Sequence, residues 1–455
     1  MSGTTVAKVA AFAALAVGAG YMAQRTSLPP SAPTAPIVLP AGLAPLNPAR
    51  REIYDYYRLA FLSDGFPGRR TESGTIPHPI YGPYIISDYL AQHRRDAKPE
   101  TIASARTVAD AAIARMSNLD GALVFYYPPG LSSMSGKFYS GLTQARYLEV
   151  LHRLHVVTGE QRYAVAAKRV LQSLMIPVSR GGVLLETSHG AVIEEWPHEI
   201  GTYTLNGWLT AISIVYSYAK ETSDSDADEL LQKNLDALEA LLPLYDCSEL
   251  ATSRYMLAGQ AHARVAFSGP ATIESGHVDI PGERAAPLHK DAGDWFNHIR
   301  SSDANSAELH LLLSRASFPR ENVLHLTIDA QEAGEAEITL GTSPYNLRAT
   351  SMKAIAFKAI GKFQIAKGRN SIAVPISWEV ADLVSYPTAF SKTIGGKTYN
   401  VYHFIHIDRL RKLHEWTGHQ AFRVWADRWE AYAHKWPTMP LYRETDVAFD
   451  RYASR

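Results

Sequence analysis

The chain has 455 residues, 46% of them hydrophobic, which is enough to bury a large core and predicts two or three folding units rather than one. Its 45 basic and 45 acidic side chains give a formal net charge of zero, which excludes a global field that would attract nucleic acid or an anionic membrane surface. The single cysteine, Cys247, excludes an intrachain disulfide and a cysteine-rich metal site. Packing must therefore hold the fold together, and any acidic ligand must be bound by local groups.

The N-terminus predicts export. Residues 9–23 form an apolar run that is shorter than the about 20 residues of a membrane-spanning helix and has the length of the apolar part of a signal sequence. The prolines of residues 26–50 then forbid a continuing helix and favour an extended linker. We expect residues 1–25 to be either a cleaved signal sequence or a membrane anchor, and the protein to lie in the periplasm or cell envelope.

An internal repeat predicts paired helices. Leu151–Tyr163 matches Leu410–Phe422 in its leucine, histidine and Thr-Gly positions, and each copy indicates two amphipathic helices joined at a glycine that can take the left-handed conformation. A further hairpin is indicated by apolar stripes at helical spacing in 205–219 and 231–242. Repeated hairpins bury their faces against one another, as in solenoids and α/α toroids, and the absence of a regular short period favours a toroid.

Residues 265–396 have a different pattern. Apolar and polar residues alternate in 324–329 and again in 337–340, which is typical of half-buried strands, and Ile372–Ile376 indicates another strand. We predict an α+β multidomain protein: an α/α toroid formed by residues 51–264 and 397–455, with an inserted antiparallel β-sandwich-like domain between its two parts.

Four polar segments lie at predicted helix starts or in loops, where a toroid would expose them to its central cleft: residues 137–146, 193–208, 242–257 and 402–408. The first segment is also compatible with an ordinary capped helix start, and the adjacent carboxylates of the second with a solvated acidic turn. His403 and His406 are three residues apart on one helix face, yet no further ligand with suitable spacing is nearby. We therefore predict neither a metal nor a cofactor.

Together these segments resemble the C-terminal catalytic domain of the D-glucuronyl C5-epimerases, which convert glucuronate to iduronate in heparan-type polysaccharides. The resemblance covers residues 135–257 and 402–436, about a third of the chain, and preserves order and spacing. It rests on the motifs FYSGLTQA (138–145), EEWP (194–197), LNGW (205–208), LPLYD (242–246), SRYML (253–257) and YHFIHIDRL (402–410).

The resemblance implies specific roles. Inverting C5 requires removal of a proton next to a carboxylate and its return on the other face, so two groups must flank the ring. By position, Glu195 and Tyr402 are this acid–base pair, and Arg254 stabilises the substrate carboxylate as it gains charge. An arginine near Tyr402 is expected to lower the pKa of its phenol. The remaining matched positions are implied substrate contacts: Tyr139, Gln144, Arg146, Glu194, Trp196, Asn206, Tyr245, Tyr255 and His403.

The sequence departs from the animal enzymes at two points of the site. Trp196 stands where they have tyrosine, and the shorter loop before Arg254 lacks their tyrosine, for which Tyr255 is the candidate replacement. The insertion also enters after Arg254 and leaves before Tyr402, two residues that the mechanism needs close together. It is therefore expected to be a flap or wall of the substrate cleft.

The predicted function is a uronate C5-epimerase acting on an acidic polysaccharide. A toroid-type polysaccharide lyase begins with the same proton abstraction and remains open, as does a non-catalytic envelope protein that binds glycans. The sequence indicates no nucleic-acid partner, and it leaves open a homodimer, membrane contact through the N-terminal segment, and a calcium ion in the β-rich part.

Overall fold

The computed structural model describes residues 36–451 except 130, 132–135, 291, 293–295, 343–355, 379–391, 395–396 and 444. The predicted signal or anchor segment 1–25 and the first part of the linker lie outside the described residues. None of the helices in the described part is both long and apolar enough to cross a membrane.

In the described ranges, a short helix α1 is followed by eight longer helices that form four antiparallel hairpins. Their bounds are α1 (Arg51–Tyr56), α2 (Tyr81–Asp96) with α3 (Pro99–Arg115), α4 (Gly141–Thr158) with α5 (Gln161–Ser173), α6 (Leu205–Thr222) with α7 (Ser225–Leu241), and α8 (Val401–Thr417) with α9 (Gln420–Ala433). The three predicted hairpins are confirmed. The sequence analysis missed the hairpin of α2 and α3.

The four hairpin turns share one geometry, because the residue after the first helix takes a left-handed conformation. These residues are Ala97 (φ 51°), Gly159 (71°), Ser223 (54°) and Gly418 (77°). In three turns the Nδ1 atom of a histidine near the helix end lies at hydrogen-bonding distance from a carbonyl oxygen just beyond the turn: His93 to Lys98 (3.2 Å), His155 to Glu160 (3.1 Å) and His414 to His419 (3.0 Å). The sequence repeat is thus a structural repeat of the turn.

The first helices of the hairpins lie side by side in chain order, α2 against α4, α4 against α6 and α6 against α8. Each second helix packs on its own partner, and α7 packs on the strand Gly190–Ile193 as well. All four hairpins contribute to one hydrophobic core. Because the first helices follow one another in the same sense through the repeat, their N-terminal turns come together at one end of the helical part.

Short strands lie before, between and after these hairpins and position the loops next to the helices. They are β1 (Leu59–Phe61), β2 (Pro67–Thr71), β3 (Gly74–Pro77), β4 (Ser117–Leu119), β5 (Ala122–Val124), β6 (Leu184–Thr187), β7 (Gly190–Ile193), β8 (Asp246–Cys247) and β9 (Thr252–Ser253). The hairpin of β6 and β7 leads directly into Glu194 and Glu195, and the hairpin of β8 and β9 leads into Arg254.

Between α7 and α8 the chain forms two antiparallel sheets with strand orders 13-14-10-16-17 and 12-11-15-18. The strands are β10 (Ala258–Phe267), β11 (Ala271–Asp279), β12 (Ala286–Pro287), β13 (His298–Ser302), β14 (Ser306–Ser314), β15 (Asn322–Ala330), β16 (Gly334–Thr342), β17 (Ala356–Ile365) and β18 (Gly368–Ile376). A small sheet joins β19 (Lys392–Ile394) and β20 (Lys397–Tyr399), which precede α8, to β21 (Val447–Ala448), which follows α9.

The two large sheets share a hydrophobic core of their own. Val265, Leu311 and Ile338 come from one sheet, and Leu324 and Val374 from the other, and all five side chains are buried. The alternation that predicted strands in 324–329, 337–340 and 372–376 therefore reflects one buried face per sheet, and these strands are confirmed.

Candidate active site

The converging first turns of the four hairpins bring together polar side chains that are far apart in sequence. Each first helix contributes one in its first two turns: Tyr84 from α2, Arg146 from α4, Asn206 from α6 and Tyr402 from α8. The loop from β7 to α6 adds Glu195 to this group. The helix dipoles favour negative charge at such an end.

Glu195 is the buried acid of the site. Its side chain is 2% exposed, and its Oε2 atom has no hydrogen-bond partner among the described residues. Burial, together with the charge of Glu194, raises the pKa of Glu195 well above the ordinary carboxyl range. The carboxyl lies against Gly207 in the first turn of α6, where a Cβ atom would sit 2.3 Å from Oε2. A glycine at this helix position lets the carboxyl enter the site.

Four buried tyrosines lie close enough to this carboxyl for the charge of Glu195 to raise the pKa of each phenol. They are Tyr84, Tyr127, Tyr255 and Tyr402. In all four, burial is the largest cause, so the phenols keep their protons at neutral pH. The rings of Tyr255 and Tyr402 are in contact, with centroids 4.8 Å apart and planes inclined by 59°. The site thus combines one carboxyl with several proton donors.

The structure brings the predicted acid–base pair together but corrects the expected pKa of Tyr402. Burial raises that pKa well above the ordinary phenol value, and Glu195, Tyr56 and Tyr84 raise it further. The expectation that an arginine would lower it is therefore wrong in direction. The buried Arg254 donates its backbone N–H to the carbonyl of Tyr245 (2.7 Å). Burial raises the pKa of Cys247, and the charge of Arg254 opposes that rise.

A basic cluster adjoins the tyrosines. Arg146 of α4 donates from Nη1 to Glu149 (3.0 Å), and its guanidinium carbon lies 5.8 Å from the ring centroid of Tyr84. Arg409 of α8 lies near Arg146. Burial and the charge of Arg146 together lower the pKa of Arg409 to about 10. Against the effect of burial, the charges of Arg146, Arg153 and Arg409 lower the pKa of Glu149, so three cations surround this one carboxylate.

The loop after Glu195 holds Tyr203 in a left-handed conformation with φ 52°. A non-glycine residue keeps such a conformation only where its surroundings fix it. Glu194 accepts the backbone N–H of Tyr203 (2.9 Å), Tyr245 donates its hydroxyl to the Tyr203 carbonyl (2.6 Å), and the Tyr203 hydroxyl donates to Glu283 (3.0 Å). Glu194 and Tyr245, predicted as substrate contacts, are thus occupied in positioning this loop. Glu283 comes from the insertion, which therefore contacts the site loop.

His403 joins two backbone segments through its ring and does not line the cleft. Its fully buried ring accepts the backbone N–H of Ser253 at Nδ1 (3.0 Å) and donates from Nε2 to the Trp429 carbonyl (2.9 Å). Burial lowers the pKa of His403 to about 4, so the ring is neutral, as this pair of hydrogen bonds requires. The histidine beside Tyr402 thereby fixes the segment that carries Arg254 and Tyr255 to helix α8.

Replacing His403 by alanine is expected to destabilise the protein by about 2–4 kcal/mol, because the change leaves a buried cavity and a backbone N–H without its acceptor. Chemical denaturation measures this effect. His189→Ala is the control, since His189 is exposed and its loss is expected to change the stability by less than about 0.5 kcal/mol. Equal stability of both variants would contradict this structural role of His403.

The other predicted contacts divide into interior and cleft residues. Tyr139 donates its hydroxyl to the Ser173 carbonyl (2.7 Å), and Gln144 bonds to Phe125, Leu123 and Ser173, so both are occupied inside the protein. Trp196 is half-buried and lies in an aromatic cluster with Tyr127 and Phe138. Asn206 lies beside the hydroxyl of Tyr255, whose pKa it lowers against the larger effect of burial.

Sequence reasoning missed three residues of this arrangement. Tyr84 and Tyr127 lie outside the matched motifs, and only the unrecognised hairpin of α2 and α3 would have pointed to Tyr84. Arg409 stands within the motif YHFIHIDRL, seven residues after Tyr402. That spacing equals two helical turns and places both side chains on one face of α8, a signal that was present in the sequence.

The raised pKa of Glu195 predicts a pH-dependent contribution to stability. A carboxyl whose folded pKa is raised stabilises the fold below its unfolded pKa, and this contribution is lost as the pH rises through the folded pKa. Glu195→Gln cannot titrate, so the unfolding free energy of this variant relative to the natural protein should increase between pH 5 and pH 8. Urea denaturation across this range measures it. A parallel pH dependence, as expected for the control Glu186→Gln at an exposed position, would contradict the burial of an acid at 195.

Comparison with known proteins gives a family for this part of the chain. The family described as D-glucuronyl C5-epimerase C-terminus matches residues 125–277, which include Glu194, Glu195, Arg254 and Tyr255. A D-glucuronyl C5-epimerase of Caenorhabditis elegans is 25% identical over 204 residues, 41% of this chain and 30% of that protein. An uncharacterised protein of Methanocaldococcus jannaschii is 28% identical over 129 residues, 28% of this chain and 41% of its own length. The resemblance to this family that the sequence motifs predicted is confirmed for residues 125–277.

The chain spans less than half the length of these relatives. Among solved structures, a GH8 endo-β-1,4-glucanase from an Achatina fulica gut metagenomic library is 13% identical with a TM-score of 0.32, over 43% of this chain and 58% of that one. The GH76A α-1,6-mannanase of Salegentibacter sp. HEL1_6 is 10% identical with a TM-score of 0.33, over 54% of this chain and 58% of that one.

Proposed function

We propose that this protein is a C5-epimerase that inverts D-glucuronate to L-iduronate, or a related uronate, within a polysaccharide, and that its helical part is an α/α toroid around the substrate. The family match supports an epimerase. The observation that carries the proposal is the buried Glu195, whose Oε2 atom has no partner among the described residues and which acts on four buried phenols, Tyr402 among them.

In this proposal Glu195 is the base. Its raised pKa makes the ionised carboxylate a stronger base than a solvated one, and the absence of a side chain at Gly207 leaves room for Oε2. The C5–H bond breaks, the proton passes to Glu195, and the bonding electrons move into the substrate carboxylate. Tyr402 then breaks its O–H bond to deliver a proton to the opposite face of C5. Transfer of the abstracted proton to the phenolate through solvent restores both groups.

The substrate carboxylate gains charge in this step and needs a cation beside it. We assign this role to Arg146 and Arg409. Arg146 lies 5.8 Å from the ring centroid of Tyr84, whose pKa is also affected by Glu195, and both Arg146 and Tyr84 affect the pKa of Arg409. Arg254, to which the sequence motifs gave this role, is buried and directly precedes Tyr255 in the chain, and it remains the second candidate. Guanidinium groups bind carboxylates with two parallel hydrogen bonds, and the bond strengthens as the enediolate forms.

The proposed partner is an acidic, uronate-containing polysaccharide. Trp196, Tyr127 and Phe138 form an aromatic cluster beside the carboxyl of Glu195, and aromatic faces bind the apolar faces of sugar rings. The contact of Glu283 with the loop at Tyr203 supports the proposal that the inserted sheets form a wall of the cleft. Export to the cell envelope, the compartment in which such a polymer would be met, remains a proposal that rests on the N-terminal sequence.

Incubation with heparosan-like and other uronate polymers in D2O, followed by NMR, tests this function. The expected result is deuterium at C5 in a chain that keeps its length, with iduronate signals appearing. Elimination would instead produce an unsaturated uronate with ultraviolet absorbance, and that result would replace the epimerase by a lyase. Binding without exchange would identify a glycan-binding protein.

A further inference from the structure

A second cluster of chemically active side chains lies in the inserted sheets. His277 and Asp279 are two residues apart on β11, so their side chains point to the same face, and His325 on β15 is the register partner of His277. This face is the solvent side, because the intervening Val278 and the neighbouring Leu326 belong to the core between the sheets. One ligand atom from each of the three residues lies within 4.8 Å of the other two.

The distances in this cluster are close to those of a metal site. Asp279 places Oδ1 3.8 Å from Nε2 of His277 and Oδ2 3.4 Å from Nε2 of His325. Two ligand atoms that are each about 2.1 Å from a tetrahedral zinc ion lie roughly 3.4 Å from one another. The two rings already lie parallel, with centroids 4.5 Å apart and planes inclined by 8°. Small side-chain rotations would direct all three ligand atoms at one ion.

The neighbouring strands leave the cluster accessible. The next residues across the sheet are Pro287 on β12, paired with His277, and Ala373 on β18, paired with His325. Neither side chain carries a ligand atom or is long enough to cover the rings. The three side chains are 32–52% exposed, and ion pairs at such exposure contribute little to stability. Stabilisation by surface ion pairs therefore does not explain why these three side chains lie together.

We propose that His277, Asp279 and His325 bind one divalent transition-metal ion of the zinc class, with water completing its coordination. Two imidazoles and one carboxylate suit such ions, whereas calcium prefers six to eight oxygen ligands. The ion joins β11 to β15, the two central strands of the four-stranded sheet, and stabilises the insertion that contacts the site loop. This site is independent of the epimerase proposal.

Calorimetric titration of the chelator-treated full-length protein with ZnCl2 tests the site. The expected result is one ion per chain, with affinity reduced at least tenfold in His277→Ala and in His325→Ala and unchanged in the exposed control His189→Ala. Substitution with Co²⁺ should give the visible absorption of a four-coordinate ion in the natural protein. The ion should also raise the melting temperature of the natural protein but not of the variants.

Two results would overturn the proposal. One is binding of equal stoichiometry and affinity by the double variant His277→Ala/His325→Ala, which would place the ion elsewhere. The other is the absence of binding to the natural protein at tens of micromolar zinc. Circular dichroism of each variant shows whether it is folded, as expected for substitutions of half-exposed side chains.

Discussion

Glu195→Gln and Tyr402→Phe are each expected to reduce C5 proton exchange by about 100- to 10,000-fold, the usual contribution of a positioned acid or base. Glutamine keeps the shape of Glu195 but cannot accept the C5 proton, and phenylalanine keeps the ring packing of Tyr402 on Tyr255 but has no proton to donate. NMR of a uronate polymer in D2O measures the exchange.

Matched controls separate these roles from general damage. Glu186→Gln changes an exposed acid on β6. Tyr216→Phe acts on α6 far from the site, where it removes a hydroxyl that donates to the Trp416 carbonyl (3.1 Å). Both controls should retain exchange, and all four variants should give native circular dichroism. More than a tenth of the natural exchange rate in folded Glu195→Gln or Tyr402→Phe would contradict the assigned roles.

Arg409→Gln is expected to reduce exchange by about 100- to 1,000-fold while leaving the protein equally or more stable. The loss follows from removing a cation beside the developing enediolate charge. The stability follows from the lowered pKa of Arg409: the folded protein disfavours its charge, and removing that charge relieves repulsion with Arg146. Exchange measurements and thermal unfolding check the two parts.

Arg411→Gln is the control for this variant. Arg411 lies two residues further along α8, where it is 41% exposed and pairs with Asp427 and Glu430. Its loss is expected to change neither exchange nor stability appreciably. If Arg409→Gln kept full exchange, Arg409 would not be a cation beside the substrate carboxylate, and Arg146 and Arg254 would be the remaining candidates.

Two helical hairpins were predictable from a glycine in the turn, and a third from its apolar stripes. The Thr-Gly pairs that end at Gly159 and Gly418 mark two turns directly. The apolar stripes of α6 and α7 mark the third hairpin, whose turn carries Ser223. The hairpin of α2 and α3 has the same turn, but there Ala97 adopts the left-handed conformation, and the surroundings rather than its own preference hold it there. A residue-type search cannot detect such a turn.

The candidate site was predictable for Tyr402, whose motif lies at a helix start, and for Glu195, whose motif lies in the loop before a helix. Motif position could not separate cleft residues from those that support them. Gln144, Tyr245 and His403 belong to the same motifs, yet their polar atoms bond to backbone groups inside the protein. The motifs therefore contain both residues that could contact the substrate and residues that hold the site in place.

The cluster of His277, Asp279 and His325 shows the limit set by strand pairing. Two of its residues are two positions apart in sequence, but the third joins them only through the register of β11 and β15. The alternation that predicted β15 placed His325 on the polar face without indicating which strand lies beside it. Ligand spacing along the chain therefore could not have revealed the cluster.

The position of solvent deuterium in the products at early reaction times tests the central claim most directly, namely that Glu195 and Tyr402 act on opposite faces of C5. NMR should be recorded in D2O while less than about a tenth of a uronate polymer has reacted. The two-residue account predicts deuterium at C5 of the new iduronate, while the remaining glucuronate keeps its proton. Equal labelling of both uronates from the start, or inversion without label, would contradict it.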